Sequence, residues 1–421
     1  MKRTLVIFLL LAAYCAGLAA LPTGHYAKDS CWSKEVKTVL LEKNGTALGR
    51  PYLRLNGQDR AWLRFDVLES TPRHFSYRIQ HCDRNWRVDD LQPSDYLNGF
   101  EEAHINTYQN SFITLQQYVN YSQTLPEANS DFLLSGNYVV SVFPQGNPDS
   151  VVLTCRFCVY EELLNATVTV NRPMSGEGDL IRDQEVSVSL TPSTGVFIPN
   201  ATQCIEVRVQ QNGRLDAIHT LPFSGYDGSS LLYRWKKENV FAGGNCFRYF
   251  DLSNLRSEMY NVQELQRYAG ENFAILRPEE DKSKKVFVYE ASLNGGMKIN
   301  AFDRNNVNTE ADYVWVSFSL PRERPFLDGN VYVVGDLTQW KFNDDSRMEY
   351  DAKYHAYTKR MLLKQGYYAY QLLFLPIGGK RALSATLEGD HYETPNNYTA
   401  FAYLRLPNDR ADRLAAIGFN K

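Results

Sequence analysis

The 421-residue chain lacks the patterns that mark most enzymes and metalloproteins. Its 7 histidines form no HExxH spacing, and Cys155 and Cys158 are not accompanied by the second cysteine pair of a typical zinc site. It also has no Gly-x-Ser-x-Gly nucleophile turn and no Walker-type phosphate loop. We therefore predict a protein that is not an enzyme, with no metal, no cofactor and no small-molecule substrate.

A strong net charge is also missing. The formal charge is −3, and it becomes −5 (43 basic against 48 acidic residues) if Lys2 and Arg3 are removed with an N-terminal leader. This balance gives no reason to expect nucleic acid or an anionic membrane surface as a partner.

Long apolar runs are confined to the N-terminus. Lys2 and Arg3 precede an apolar run from residue 5 to residue 13, and Gly17 and Ala19 supply small residues of the kind that signal peptidase accepts. No later run approaches the roughly 20 residues that span a bilayer. We predict a signal peptide at residues 1–20, cleaved near residue 19 or 20, and a mature protein outside the cytoplasm.

Export would leave six cysteines, which allow 15 complete pairings. Cys204 and Cys246 fall in one predicted domain, so they are the first candidates for a disulfide. Buried free cysteines are the alternative, because a domain of this size does not need a covalent link. Cys155 and Cys158 lie three apart in a strand-like run, so they are predicted to point to opposite faces.

With 27 Tyr, 22 Phe and only 6 Met, the composition favours β structure. Short alternating runs separated by turn signals predict an all-β fold of three consecutive immunoglobulin-like or E-set β-sandwich domains after the signal peptide. The predicted domains are 21–161, 162–300 and 301–421. Asn212-Gly213 predicts a hairpin turn, and the charge cluster 278–285 before KVFVYEA predicts a solvated hairpin.

The most unusual stretch runs from Tyr77 to Tyr121. It begins with the alternation of a strand, which stops at residue 83, and residues 83–107 predict one long ordered loop. Asp83 is predicted to close an Asx turn at the strand end. The aromatic side chains of this region, which could anchor an interface with a partner, are Trp86, Tyr96, Phe100 and Tyr108.

The motif HCD-x-x-W, followed by DL-x-PSDYLNGFEEA and an SGNY turn, resembles the N-terminal signature of the plug proteins of the Bacteroidetes type IX secretion system. The aromatic segment 239–257 and the C-terminal Arg410, Asp412 and Arg413 are similar to the same family. The resemblance implies a periplasmic subunit, associated with the outer membrane, that binds the periplasmic opening of the large β-barrel translocon. It would block that opening when no cargo is present.

A second resemblance suggests another class of function. The segments GDLTQW, MEY and GYYAY resemble immunoglobulin-like modules that bind α-glucans through exposed aromatic rings. This resemblance implies a secreted carbohydrate-binding protein that stacks sugars on Trp340, Tyr368 and Tyr370. The same residues occur as scaffold in the C-terminal domain of plug proteins, so both interpretations stay open.

Overall fold

The computed structural model describes residues 25–291 and 293–420, so the predicted signal peptide lies outside the described residues. Nearly all regular structure is β, which confirms the predicted all-β class. The helices are single turns: α1 (Pro93–Tyr96), α2 (Ala201–Cys204), α3 (Val307–Glu310) and the 3-10 turns Lys237–Asn239 and Asp336–Thr338. Within the described ranges, no helix is long and apolar enough to cross a membrane.

The first unit is built from two facing sheets. Its strands are β1 (Ser30–Cys31), β2 (Val36–Lys43), β3 (Tyr52–Arg54), β4 (Ala61–Val67), β5 (Phe75–Cys82), β6 (Leu97–Asn98), β7 (Glu102–Ile105), β8 (Thr107–Asn110), β9 (Val119–Leu125), β10 (Asp131–Phe132), β11 (Gly136–Pro144) and β12 (Leu153–Tyr160). One sheet has the order β1-β12-β11-β5-β7, with β3 parallel to β12, and the other has the order β2-β4-β9-β8. Inward residues of both form one core, in which Phe65, Phe75 and Tyr121 pack ring against ring.

The second unit begins after a short connection. Its first strands are β13 (Leu164–Asn171), β14 (Asp183–Pro192), β15 (Ile205–Gln211), β16 (Ile218–Leu221), β17 (Gly225–Asp227), β18 (Ser230–Tyr233) and β19 (Val240–Ala242). One sheet has the order β13-β14-β18-β17, with β19 also paired to β14. Strands β15 and β16 form the predicted hairpin, whose turn includes Asn212 and Gly213 with φ of 53° and 77°.

The third unit again has two layers. Its strands are β20 (Arg248–Asp251), β21 (Val262–Tyr268), β22 (Glu271–Leu276), β23 (Met297–Ile299), β24 (Tyr313–Pro321), β25 (Gly329–Val334), β26 (Glu349–Asp351), β27 (Ala356–Lys364) and β28 (Gly366–Pro376). One sheet places β28 between β20 and β23 and also pairs it with β25, and the other has the order β21-β22-β24-β27-β26. A third core cluster joins the two layers.

The last strands, β29 (Tyr398–Leu404) and β30 (Arg413–Phe419), return to the second unit. They complete its second sheet in the order β16-β15-β29-β30. The predicted boundary between residues 300 and 301 therefore does not follow the sheets, since β20 to β23 belong to the third unit and β29 and β30 to the second. Strand patterns do not encode this, because the pairing of Val207 with Ala402 is a long-range hydrogen-bonding choice. An immunoglobulin-like topology for each unit stays a prediction.

Buried polar contacts join the first unit to the third. The Lys364 ammonium lies 2.7 Å from a carboxylate oxygen of Asp66, and both side chains are almost completely buried. Tyr313 donates its hydroxyl hydrogen to the same carboxylate oxygen at 2.7 Å. Tyr118 donates to the backbone carbonyl of Ala311 at 2.8 Å. Because a buried charge is costly unless it is paired, these groups favour one relative position of the two units.

Candidate functional site

The segment predicted as one irregular loop, residues 83–107, contains regular structure. The α1 turn, β6 and β7 all lie within it, and β6 pairs with β10 while β7 pairs with β5. The prediction of a single loop was therefore wrong. Its Pro and Gly signals mark short breaks, and the backbone between them finds hydrogen-bond partners in strands that are distant in sequence.

The strand end before this segment is a packed turn. The Asp83 carboxylate accepts hydrogen bonds from the backbone N–H groups of Asn85 and Arg87 at 2.8 Å each, which confirms the predicted Asx turn. Buried His81 places its Nδ1 2.5 Å from the Asp89 carboxylate and its Nε2 3.2 Å from a backbone carbonyl. Both ring nitrogens thus contact acceptors, and the imidazole serves to hold the turn.

The chemistry of the neighbouring thiol agrees with a packing role. Cys82 is 0% exposed, and burial raises the pKa of its thiol well above the usual value. A thiol that stays protonated is a poor nucleophile and a poor metal ligand. Across residues 25–291 and 293–420, no group of three or more His, Cys, Asp or Glu side chains is placed to hold a metal ion.

The aromatic residues predicted as interface anchors occupy different environments. Tyr96 is 3% exposed and donates its hydroxyl hydrogen to the backbone carbonyl of Ile79 at 3.1 Å, so it belongs to the first core and its prediction as a contact residue was wrong. The physical reason is that α1 turns the Tyr96 ring inward. Trp86 is half-buried beneath the Arg156 guanidinium, whose carbon lies 4.5 Å from the centre of the indole ring.

Phe100 and Tyr108 remain on the surface, with 80% and 39% of their areas exposed. Two further apolar side chains nearby in sequence, Phe112 and Ile113, are 66% and 55% exposed. We call residues 100–113, which include β7 and β8, the exposed segment. A contiguous stretch with several exposed large apolar side chains is unusual for a surface that contacts only water.

The sequence analysis did not single out Phe112 and Ile113, because they lie in SFITLQQYVNY, a run with the composition of a strand. Strand β9 begins only at Val119. The backbone before Val119 forms hydrogen bonds with the third unit. The Phe112 backbone N–H donates to the Thr309 carbonyl at 2.9 Å, and the Leu115 backbone N–H donates to the Asp312 carboxylate at 2.9 Å. These partners in and beside α3 hold the chain away from the sheet. The available signal was the adjacent pair of apolar residues, which breaks the alternation of a strand.

The region just described matches a known protein family. Residues 36–161 match the family model described as the type 9 secretion system plug protein 1st domain. These residues belong to that family of plug first domains. The match confirms the predicted family resemblance. It also supports a role for the protein in type IX secretion, at a periplasmic or envelope location.

One solved structure extends the similarity over nearly the whole chain. A hypothetical protein from Parabacteroides merdae, known from a crystal structure at 2.30 Å, is 29% identical with a TM-score of 0.89, and the match covers 94% of this chain and 99% of that one. A structure described as a biofilm associated protein BSP domain gives a TM-score of only 0.18 at 9% identity, covering 95% of this chain and 61% of that one, and carries no argument. No curated protein matches the chain.

The signature turn of the plug first domain docks onto the second unit. The backbone N–H of Arg84 donates to the Asp412 carboxylate at 2.9 Å, and the Arg84 guanidinium lies 3.4 Å from the other oxygen of that carboxylate. Arg208 on β15 donates to the side-chain oxygen of Asn85 at 2.7 Å. Asp412 lies between β29 and β30, so the two sequence segments that carry the family resemblance contact each other.

A cavity of about 1120 Å³ lies where the plug first domain meets the other two units. Trp86 and Arg156 line it from the plug first domain, Tyr403 from the second unit, and Trp340 and Met297 from the third. Its lining combines aromatic rings with arginine and carboxylate side chains. Its volume is slightly above the range of about 300–1,000 Å³ that is usual for small-molecule sites. The Arg156 guanidinium in its lining is already paired with Asp29 at 3.0 Å.

The residues proposed to stack sugars are not placed for it. Tyr368 and Tyr370 are 2% and 0% exposed, and their hydroxyls bond to the Lys364 carbonyl and the Glu279 carboxylate. Trp340 is 6% exposed and donates its indole N–H to the Asp336 carboxylate at 2.7 Å. The prediction was wrong for both tyrosines, because β28 has neighbouring strands on both sides and packs against the facing sheet, so these rings fill the third core.

The cysteines also depart from one prediction. Cys204 and Cys246, the candidate disulfide pair, are free in the structure. Cys204 packs in the second core, whereas the sulfur of Cys246 accepts a hydrogen bond from the Glu290 backbone N–H at 3.4 Å. Cys155 and Cys158 lie in different hydrophobic clusters, which confirms that they point to opposite faces of β12.

Proposed function

We propose that this protein is a periplasmic plug subunit of the type IX secretion system. It binds the periplasmic opening of the outer-membrane translocon barrel and blocks that opening when no cargo is present. The match of residues 36–161 to the plug first domain carries the proposal. The role is steric and not enzymatic, so it requires a stable body and a complementary surface.

The joints between the units support a steric role. The plug first domain is tied to the third unit by the buried ion pair of Lys364 and Asp66, and to the second unit by the contact of Arg84 with Asp412. Each joint satisfies polar groups that would otherwise be buried without partners. Moving the units apart would leave these groups without their hydrogen-bond and ion-pair partners, which costs free energy. The three units should therefore keep their relative positions when the protein lies at the translocon pore.

The exposed segment, residues 100–113, is the surface that we assign to the translocon. Phe100 projects with 80% of its area exposed and Phe112 with 66%, and such side chains gain the most when a partner covers them. Arg78 pairs at 2.6 Å with Glu102, which follows Phe100 by two positions in the sequence, and such a charged pair is typical of the polar rim of an interface. Trp86 and Tyr96 are not part of this surface, because the first contacts Arg156 and the second lies in the core.

Co-purification tests partner and location together. Tagged protein is recovered from gently solubilised outer membranes, and the translocon barrel is expected to accompany it. The double variant Phe100→Asp/Phe112→Asp should lose most of the barrel, because charged side chains would have to be desolvated at the interface. The matched control Tyr354→Asp replaces an aromatic residue of the third unit that is 66% exposed, and it should retain the barrel.

A flux measurement separates binding from blocking. Lipid vesicles that contain the translocon are filled with a small dye, and the release of the dye is followed with and without added protein. We expect the protein to slow release and the Phe100→Asp/Phe112→Asp variant to fail to do so. Failure of the barrel to co-purify with the unaltered protein would remove the proposed partner. Co-purification without any effect on release would remove the blocking role alone.

A further inference from the structure

The cavity where the three units meet is separate from the surface assigned to the translocon. Its volume is about 1120 Å³, which is more than most small-molecule sites enclose, so its size suits a longer ligand. We call it the junction cavity. Within the described part of the chain, none of its lining residues belongs to the exposed segment, residues 100–113.

A free strand edge of the plug first domain contributes to this lining. Strand β2 lies at the edge of its sheet, and its Leu41 lines the junction cavity. The backbone N–H of Asn44 donates to the Arg60 carbonyl next to β4 at 2.7 Å. Because alternate residues of an antiparallel strand bond to the same neighbour, Leu41 directs its N–H and C=O away from β4. Neither group makes a hydrogen bond among the described residues.

Strand β23 offers a second free edge, from the third unit. It pairs with β28 alone among the described strands, and its Met297 lines the junction cavity. The Ala369 backbone N–H donates to the Gly296 carbonyl at 3.0 Å, so by the same alternation Met297 directs its N–H and C=O away from β28. These two groups also lack hydrogen bonds within residues 25–291 and 293–420. Unpaired donors and acceptors on a strand edge are suited to pair with the main chain of an extended polypeptide.

Two arginines in the lining have capacity for a further partner. The Arg87 guanidinium makes no ion pair or hydrogen bond with the described residues, and the side chain is exposed. Arg50 has 42% of its side chain exposed, and its ion pair with Asp336 is long, at 3.4 Å. Both guanidinium groups are therefore free to form charge-assisted hydrogen bonds with carboxylates of a ligand.

The carboxylates in the same lining are already satisfied. Asp29 accepts a hydrogen bond from Arg156 Nε at 3.0 Å, and Asp336 accepts one from the Trp340 indole N–H at 2.7 Å. Glu42 forms an ion pair with an arginine of β4. The unused charge in the junction cavity is therefore positive, which favours a ligand with negative groups.

We propose that the junction cavity binds an extended polypeptide segment of a partner protein that carries acidic side chains. The main chain of the segment pairs with the free edge of β2 or β23, and its carboxylates contact Arg50 and Arg87. Main-chain pairing supplies affinity that does not depend on one sequence, and the arginines select acidic segments. The inference does not depend on the proposed translocon role, because that role is assigned to residues 100–113.

Calorimetric titration of the mature protein tests the charge requirement. The probe is an eight-residue peptide of alternating threonine and glutamate, and we expect saturable binding. Arg50→Gln/Arg87→Gln should weaken binding about tenfold or more, because two charge-assisted contacts are lost. The control Arg324→Gln, at an exposed arginine of the third unit, should leave the Kd unchanged. A peptide with lysine in place of glutamate should bind at least about tenfold more weakly.

Two further changes test the place and the main-chain pairing without altering charge. Thr220 on β16 is exposed and lines the junction cavity, so Thr220→Trp should block peptide binding while the melting temperature stays near that of the parent. Thr169→Trp, at an exposed threonine of β13, is the matched control and should bind normally. A glutamate peptide methylated on every backbone nitrogen keeps its side chains but cannot donate main-chain hydrogen bonds, so it should not bind.

Several results would overturn the proposal. The glutamate peptide could show no saturable binding at millimolar concentration, or the lysine peptide or the methylated peptide could bind equally well. Peptide binding that Thr220→Trp leaves unchanged would place the site outside the junction cavity. Binding of maltoheptaose, lost in Thr220→Trp and without any binding of the glutamate peptide, would assign the cavity to carbohydrate instead.

Discussion

The carboxylate of Asp412 accepts a hydrogen bond from the backbone N–H of Arg84 at 2.9 Å, across 328 positions of sequence. The same carboxylate lies within 3.6 Å of the guanidinium groups of Arg84 and Arg405, and its side chain is only 3% exposed. One buried carboxylate near the C-terminal end of the chain therefore provides the acceptor for the backbone N–H of the signature turn in the plug first domain.

Replacing this group should weaken the contact between the two units. Asp412→Ala leaves the Arg84 N–H without its acceptor, and we expect a loss of about 1–3 kcal/mol of stability, seen as a lower urea midpoint. The control is Arg410→Ala, which breaks an exposed pair with Asp95 and should cost about 1 kcal/mol or less. An Asp412→Ala midpoint equal to that of the parent would show that the contact contributes no stability.

The buried ion pair between the first and third units gives a stronger prediction. Lys364→Met leaves Asp66 buried without its cation, and we expect a loss of about 3–5 kcal/mol in the free energy of unfolding. Lys364→Met/Asp66→Asn removes both charges and should recover part of that loss, because the unpaired charge is gone. Urea unfolding of the single and double variants measures the coupling. Losses that simply add would mean that the two groups act independently.

The pH dependence of stability should include a contribution from His219. Burial lowers the pKa of His219, and the nearby Arg381 lowers it further, although the hydrogen bond to the Glu238 carbonyl opposes both. The folded state therefore binds this proton less readily than the unfolded chain. The stabilising contribution is complete above the unfolded pKa of about 6.5 and is lost as pH falls through the folded value.

His219→Gln should therefore reduce the stability lost between about pH 7.5 and about pH 5.5. The melting temperatures of parent and variant are measured across that pH range, and the steepness with which each falls with pH is compared. His355→Gln changes an exposed histidine of the third unit and serves as the control. Parallel curves for the parent and His219→Gln would contradict the prediction.

The state of the cysteines can be counted directly. All six cysteines in the described chain are free, and five of them are buried. Burial raises the pKa values of the Cys82 and Cys155 thiols, so the folded protein should react slowly with a thiol reagent. After unfolding without reductant, all six should react. Four reactive thiols would instead indicate one disulfide, and peptide mapping would show whether it joins Cys204 to Cys246.

Local features proved predictable where the cause is local. The Asx turn at Asp83 follows from its own side chain, the hairpin turn at Asn212-Gly213 follows from residues that tolerate positive φ, and the opposite facing of Cys155 and Cys158 follows from the period of a strand. The resemblance to plug proteins rested on a long ordered motif, and the family match over residues 36–161 agrees with it.

Predictions that depended on burial were less successful. Tyr96 and Phe100 are both aromatic residues of one segment, yet one lies in the first core and the other projects into solvent. Tyr370 has the sequence context of a sugar-binding residue but fills the third core, where its hydroxyl contacts Glu279. A side chain's type does not state which surface will cover it, because that surface comes from strands far away in the chain.

The sequence by itself determined the β class, the turns and the family of the first domain, since these depend on residue type, alternation and a continuous motif. Only the tertiary structure decided that β29 and β30 complete the second unit, that Arg84 meets Asp412, and that KKVFVYE stays outside every sheet. These outcomes depend on competition among strands for the same hydrogen-bonding edges. That competition is settled by the free energy of the whole assembled chain, and no local pattern records its result.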